Sequence, residues 1–364
     1  MDINIYKNDY QAGTYLERIG IFDDASSVIW TRKYFTPGNF EIHIPNTDVN
    51  REMLSDVEKQ FVDILVSIEG EKDAGIVEYM KIDEGAEAYD IQLKGRFLSA
   101  MLDRHIIKGT YYANNIPCEQ AAKEIIAFSP FVKNGIIARS NFAASGKKVT
   151  FQATYKNILS HLENVSGYST CGFEIIPDFS TKKFIFNFYA GKDRTGADAE
   201  IPKAVFSEEY ENINNAVYEF DKSNERTYEY VGGQGEGSAR VIVQTGTVTD
   251  ELLRKEKFYN ASGEAKSDDD TDDQYKNRLT QKGNEDLEGY KVSAAFNCDT
   301  GADVNFTYGE DYDLGDIVLV KKSAWNMEKQ LRITGITETY ENGGRIISPT
   351  FGDPLPETIN WEDT

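Results

Sequence analysis

The stretch Tyr230-Val-Gly-Gly-Gln-Gly-Glu-Gly-Ser-Ala-Arg240 decides how the chain is read. Gly232, Gly233, Gly235 and Gly237 lie between two strand-like runs, residues 226–231 and 239–245. A glycine-rich turn that opens a helix can cradle phosphate on free backbone N–H groups. Here the residues that follow, Arg240-Val-Ile-Val-Gln-Thr245, are short and β-branched, so the turn opens a strand. No Lys-Ser/Thr pair follows it, and Glu236 would repel phosphate. The glycines therefore read as a tight backbone crossing where a side chain would clash. That crossing is expected to join strands of a ring-forming barrel.

The chain has 364 residues, enough for two to four domains and a sizeable core. Its 21 Tyr and 20 Phe, with frequent Val, Ile and Thr, favour strands. The start, Met1-Asp-Ile-Asn-Ile-Tyr6, lacks the basic and apolar runs of a signal peptide, and no segment approaches membrane-helix length. Cys118, Cys171 and Cys298 are few and far apart, which predicts free buried thiols in a reducing compartment.

The net charge of −22 is uneven: −9 over residues 1–105, +4 over 106–205 and −17 over 206–364. Acidic surfaces discourage binding to nucleic acid and anionic membrane. They also serve ordinary solubility.

Residues 1–105 read as β, with candidate strands at 3–6, 16–22, 27–31, 39–44, 61–68, 73–82 and 89–95. Phe40-Glu-Ile-His-Ile-Pro45 alternates as a half-buried strand does, and Arg96 to His105 reads as a short helix. Residues 106–205 are mixed. A helix runs from Pro117 to Phe128, and a second spans about Thr154 to Ser166 with Gly167 as its cap. Residues 172–177 and 183–189 form a hairpin. Strands return at 215–221, 227–231 and 240–245, and resume at 290–297, 317–322, 330–340 and 345–350, with Glu341-Asn-Gly-Gly344 as a turn. Between them, residues 261–275 carry six acids against one Lys and read as an exposed, mobile loop. Thr271-Asp-Asp-Gln274 fits a capping box opening a helix to about Leu287.

The fold class that results is mostly β with an α+β insert. The six or seven short early strands suit a barrel or a sandwich, and the division taken has two antiparallel β-barrels, a peripheral α+β domain and a small helical insert. The divisions are 1–105 for the first barrel, 106–205 for the α+β domain, and 206–245 with 291–352 for the second barrel. The acidic loop and helix fill 246–290, and 353–364 is a tail.

No motif carries an enzyme. Asp268-Asp-Asp-Thr-Asp-Asp273 lacks the Gly and Glu positions of a calcium loop and reads as charge at a helix start. Glu310-Asp-Tyr-Asp-Leu-Gly-Asp316 reads as a polar loop before a strand. His43, His105 and His161 have no ligand-spaced partners, so no metal site is expected. Gly167-Tyr-Ser-Thr-Cys171 misses the nucleophile elbow, because its helix precedes Ser169 and Cys stands where the second Gly belongs. Gly191-Lys-Asp-Arg-Thr195 lacks the upstream glycine of a phosphate loop. Nothing singles out an acid pair for glycoside hydrolysis, and no basic patch interleaved with aromatics marks nucleic-acid binding. No catalytic residue, cofactor or metal is expected.

Four stretches in order carry a resemblance: Ser27 to Ile44, Ile91 to Arg104, Tyr228 to Arg240, and Asp311 to Gly352, the last containing Asp313-Leu-Gly-Asp-Ile-Val318. They resemble the siphovirus-type tail hub family of long-tailed phages, including prophage and tailocin particles. The resemblance implies a structural baseplate hub, a homotrimer whose subunits each give two β-barrels to a pseudo-sixfold ring. Such a ring joins a hexameric tube to a trimeric spike and lets the tube contents pass. It implies as partners the tail tube or distal tail protein, a spike or fibre protein and the tape measure protein. DNA would be passing cargo, and the chain would not insert into a membrane. The location implied is the tail baseplate of a virion or tailocin, made in the bacterial cytoplasm. An acidic lumen would let DNA slide without sticking. Some members of the family carry a C-terminal hydrolase or fibre. With the sequence ending at Thr364, any wall-degrading or receptor-binding activity is expected to come from a partner. The alternative is a cell-wall-degrading tail enzyme, a glycosidase or peptidase. A third reading, suggested only by the aromatics, is a carbohydrate-binding module.

Overall fold

Alternation sets the first strands. In Phe40-Glu-Ile-His-Ile44 the apolar residues are buried and Glu41 and His43 are half-exposed, as a period of two requires. The computed structural model describes residues 1–85, 88–139, 147–267, 270–300, 306–341 and 344–352. The early region contains β1 (Ile3–Asp9), β2 (Thr14–Phe22), β3 (Ser27–Lys33) and β4 (Asn39–Pro45), then the short helix α1 (Asp48–Met53). β5 (Val62–Ile68), β6 (Gly75–Gly85) and β7 (Ala88–Phe97) complete it. Trp30, Phe40, Ile42, Ile91 and Leu93 form the centre of its core. The helix expected after Gly95 is a 3-10 turn over Leu98–Arg104 whose apolar residues are buried.

The middle region contains β8 (Thr110–Pro117), α2 (Cys118–Ile126), α3 (Pro130–Lys133), β9 (Ile137–Arg139), β10 (Lys148–Thr154), α4 (Ile158–Ser169), β11 (Gly172–Asp178) and β12 (Lys183–Tyr189). Two expectations are corrected here. Tyr155 is not on the helix: it has φ +49° and is 66% exposed, because Asn157 caps α4 through its side chain. Gly167 lies inside α4, and Thr170 takes the left-handed cap conformation instead. Ile158, Leu162, Ala122, Ile125, Phe184 and Phe186 build this region's core. Cys118, Cys171 and Cys298 are buried free thiols.

The late region opens with β13 (Val205–Ser207) and β14 (Asn214–Asp221). The chain then leaves for β15 (Tyr228–Gly232), β16 (Ile242–Gly246), β17 (Glu256–Asn260) and α5 (Asp272–Glu288). It returns through β18 (Ser293–Asp299), β19 (Ile317–Lys322), β20 (Met327–Glu341) and β21 (Gly344–Gly352). β14 pairs with β18, closing at Asp221↔Ser293, so everything between is one excursion from adjacent strand ends. The bond from Arg226 N–H to the Tyr290 carbonyl, 3.0 Å, ties its neck.

This enlarges the insert at the expense of the second barrel. β15 and β16 form a separate three-stranded sheet, order β16-β15-β17, and not part of the late sheet. α5 covers one face through Tyr275 and Leu279, with Val231 and Ala261 beneath. The glycine stretch is therefore the β15–β16 connection of this small unit, not a crossing in a ring wall. At Gly233 a Cβ would lie 2.5 Å from the Tyr275 hydroxyl, and Gly235 has φ +99°. The capping box at Thr271 is present. Tyr275, expected in a mobile loop, is 2% exposed, and Asp270 pairs with Arg278 at 2.6 Å. Asp268, Asp269, the turn residues 342–343 and the tail 353–364 lie outside the described residues.

The early and late strands, expected in separate sheets, share one. Its order is β14-β18-β21-β20-β3-β4-β7-β6-β5-β1-β2, with β19 and β13 branching from β20. The join is β3 with β20, antiparallel from Lys33↔Gly335 to Ser27↔Glu341. Neither flank was available to propensity reasoning, because the two strands lie some 300 residues apart in sequence. The two regions still keep separate cores, the late one built on Phe206, Phe296, Ile333, Ile336 and Phe351.

Gly233→Val forces Tyr275 and Leu279 off the sheet. It is expected to cost about 1–3 kcal/mol in urea unfolding, without ATP or GTP binding by either form.

Candidate functional site

Two features of the joined sheet define the site: the buried seam beneath it and the polar face above it. At the seam, β3 sends Arg32 inward beside β20. Arg32 is 4% exposed, bonds Asp73 and Glu338, and reaches Glu71 at 2.8 Å. Glu338 is fully buried and also takes Arg345 at 2.7 Å and the Tyr340 hydroxyl at 2.6 Å. Burial opposes the charge on Arg32, but Asp73, Tyr308, Glu338 and Glu71 outweigh it and raise its pKa. Burial likewise works against the Glu338 carboxylate, and Arg32 with Tyr340 and Arg345 reverses the shift and lowers its pKa. Early and late regions are thus locked by one paired charge cluster.

Two residues on, Tyr34 ties in the middle region. It is fully buried. Its hydroxyl donates to the Tyr189 carbonyl at 3.1 Å and accepts from Gly191 N–H at 3.0 Å. Gly172 and Gly315 leave room for the ring: a Cβ on Gly315 would sit 2.2 Å from it. Asp316 holds the same corner. It accepts from Lys192 N–H at 2.7 Å and pairs with Arg194 at 2.5 Å.

Above the seam, β6, β7, β4, β3, β20, β21, β18 and β14 run as eight consecutive antiparallel neighbours. One face of this run is mostly polar, with Tyr79 of β6, Ile346 of β21 and Val217 of β14 half-exposed among its polar groups. Thr31 and Thr337 hydroxyls meet at 3.1 Å across the join, and Ser348 donates to Asp299 at 2.6 Å. Glu41 takes Lys94 and His43, both at 3.0 Å, and His43 bonds Asp90 at 2.7 Å. Burial opposes the charge on His43, while Asp90 and Glu41 raise its pKa. By register, Glu219 and Asp221 of β14 and Glu341 of β20 lie on this face too, so acids outnumber its lysines and arginines. Both ends of the run are open. β14 bonds only β18, and β6 bonds β5 only at Gly75 and Ile76, leaving its far half paired on one side among the described residues.

The residues weighed for chemistry go elsewhere. Ser169 is buried, donating to the Ser166 carbonyl at 3.0 Å and accepting from Cys171 N–H at 3.1 Å. His105 meets Ser129 at 3.2 Å, and burial drives the His161 imidazole down to about 4. In the Gly191–Thr195 loop the N–H groups of Gly191 and Lys192 donate to Tyr34 and Asp316, and those of Arg194 and Thr195 to the Ile317 carbonyl and the Asp193 carboxylate. Asp311 accepts from Thr307 N–H at 2.8 Å. Among the described residues no group of three His, Cys, Asp or Glu is placed for a metal, and no helix is long and apolar enough to cross a membrane.

Sequence reasoning missed Arg32, Tyr34, Arg194, Asp316 and Glu338 as partners. Arg32, Tyr34, Asp316 and Glu338 sit inside the quoted stretches, but nothing in their spacing reports contacts that lie 122 to 306 residues apart. It also missed Glu229, buried under α5 beside Lys257 at 3.2 Å and facing Gly283. Burial and the neighbouring Asp286, against Lys257, push its carboxyl up to about 8.

The molecule is mostly β and is organised around one joined sheet. The model of the Siphovirus ReqiPepy6 Gp37-like protein family matches residues 3–353, and the chain belongs to that phage tail protein family. The fold is similar to that of the tail protein from Neisseria meningitidis MC58, with TM-score 0.58 and 14% identity, covering 97% of each chain. The 43 kDa tail protein of prophage MuSo2 from Shewanella oneidensis matches with TM-score 0.58 and 14% identity, over 96% of this chain and 98% of that one. Prophage tail protein gp18 from Listeria monocytogenes EGD-e matches with TM-score 0.52 and 11% identity, over 96% and 94%. No curated protein sequence matches.

Arg32→Met strands Glu338 and Asp73 as buried unpaired acids. It is expected to cost about 3–5 kcal/mol in urea unfolding. Adding Glu338→Gln should recover part of that loss.

Glu229 gives a pH signature. Its folded pKa lies above the unfolded value of 4.5, so its contribution is complete below pH 4.5 and is lost as pH rises towards about 8. Glu229→Gln is therefore expected to raise the melting temperature at pH 8 relative to the parent, with little difference at pH 4.5.

Proposed function

We propose that three copies of this chain form a hub ring in the baseplate of a phage or phage-like tail. The ring joins the hexameric tube to the trimeric spike or fibre and lets the tube contents through. The units 1–105 and 206–352, less the enlarged insert, form its wall, and 106–205 lies outside. One observation carries this reading: the eight-strand antiparallel run has one polar face and two open edges.

An even number of alternating strands is the condition for antiparallel closure onto a copy. The last strand, β14, runs opposite to the first, β6, so β14 of one copy can continue the ladder on β6 of the next. The exposed apolar residues flanking the two edges fit this. Phe220 and Trp325 beside β14, and Ile82 on β6, are 54%, 45% and 43% exposed. By register Phe220 and Ile82 lie on the face opposite the polar one, and Trp325 meets Phe296 of that face, whereas Val217 of β14 and Tyr79 of β6, also exposed, lie on the polar one. Rotation of a heterologous contact by thirds closes a ring and not a filament. Closed edges also remove the aggregation hazard of an open sheet.

Three such runs make about 24 strands. At a spacing of about 4.8 Å and a tilt of about 40°, the wall is roughly 45–50 Å across, leaving a passage on the order of 30 Å inside the side chains. The polar face lines it. Hydroxyls and paired charges with a surplus of acid suit a wall past which DNA slides. The role is mechanical and not enzymatic. The partners are the tube or distal tail protein, the spike or fibre, and the tape measure protein, with DNA as cargo.

Light scattering across a salt series tests the ring. Mass should move towards a trimer as salt screens the net −22 of each copy, within a Debye length of about 8 Å at physiological ionic strength. Phe220→Glu should hold the chain as a folded monomer at every salt. A parent chain that is monomeric at all salts, and stays so with its tail partners, contradicts the reading.

A further inference from the structure

We propose that the outward face of the small three-stranded sheet, β16-β15-β17, binds a short stretch of neutral polysaccharide. The inference does not rest on the hub reading. α5 covers one side of this sheet, through Val231 and Tyr275, and leaves the other side open. On the open side the cross-strand register places Tyr230 between Gln244 and Phe258, and Gly232 beside Ile242. Phe258 is 52% exposed and Ile242 44%.

Two arginines brace the aromatic rings from within the chain. Arg254 lies 3.8 Å from the Tyr228 ring centroid, and Arg240 lies 5.2 Å from that of Phe258. Their donors are taken internally. Arg254 bonds the carbonyls of Val248 and Thr249, and Arg240 those of Gly232 and Gly233. The arginines therefore stiffen a platform and are not aimed at an anion. Gly232 belongs to the same device, since a Cβ there would lie 2.5 Å from the Phe258 ring.

What remains to meet a ligand is the exposed Phe258 ring and Tyr230, which stands at 71° to the buried Tyr228 ring, with planar polar groups beside them. Gln244 accepts from the Tyr228 hydroxyl at 2.7 Å, which leaves its amide N–H groups directed at no partner among the described residues. The Tyr230 hydroxyl has no partner among them either. Rings offer the C–H faces of a pyranose a stacking surface, and amide and phenol groups bond its hydroxyls. A protein partner is the poorer fit on area. Five residues along three strands give roughly 200 Å², whereas a stable protein interface takes about 800 Å² from each partner.

The test is affinity electrophoresis of the full chain in gels containing soluble neutral polysaccharides. The panel is a β-glucan, a mannan, a galactan and an α-glucan, with wall polysaccharides from several Gram-positive and Gram-negative bacteria alongside. An oligothymidylate gel-shift is run in parallel. Retardation by at least one polysaccharide is expected, weakened tenfold or more by Tyr230→Ala and by Gln244→Ala. Both variants must keep the parent's melting temperature within a few degrees, and Gln244→Ala stands alone if Tyr230→Ala does not fold. No retardation in any gel, retardation that both variants retain, or binding confined to oligothymidylate overturns the proposal.

Discussion

The pairing of β3 with β20 is the constraint on which the molecule depends. It joins residues at the two ends of the chain, from Ser27↔Glu341 to Lys33↔Gly335. Closing so long a loop is entropically unfavourable, though the cost grows only slowly with length. Hydrogen bonds along a ladder do not by themselves fix register. Arg32 does, because Asp73, Glu71 and Glu338 come from both regions and converge on one guanidinium. A slip of one residue would turn Arg32 to the solvent face and strand three acids. Such a cluster contributes specificity more surely than net stability, since desolvation offsets much of the attraction.

The same seam organises the third region. Tyr34 follows Arg32 by two residues, so it points to the same side of the chain. It meets glycines from the middle and late regions and bonds the backbone at Tyr189 and Gly191. Early, middle and late regions are thus held at one corner, while the opposite face of the sheet stays free and polar. In this way packing beneath the sheet leaves its upper face and its two edges available for assembly.

Much of the fold was legible in the chain. Alternation marked β4, the Thr271 capping box marked α5, and residues 172–177 and 183–189 were read as a hairpin. Local signals failed where the outcome is tertiary. Gly232 to Gly237 marked a tight turn, but no local feature distinguishes a turn in a ring wall from one in a small unit under a helix. Tyr275 looked solvated among acids, yet its ring fills the space that Gly233 leaves. The seam residues were invisible for the same reason: Arg32 and Glu338 are ordinary charged residues until the sheet brings them together. The resemblance carried by Ser27 to Ile44 and Asp311 to Gly352 covered the two stretches that meet there.

The claim at the centre of this account is that the polar face of the eight-strand run lines a closed ring. Electron microscopy of the tail that contains this chain, at a resolution that separates strands, tests it most directly. The account predicts threefold density, with β14 of each copy beside β6 of the next and Thr31, Thr337 and Ser348 facing the passage. A particle in which those hydroxyls face outward, or in which β14 and β6 remain unpaired, would contradict it.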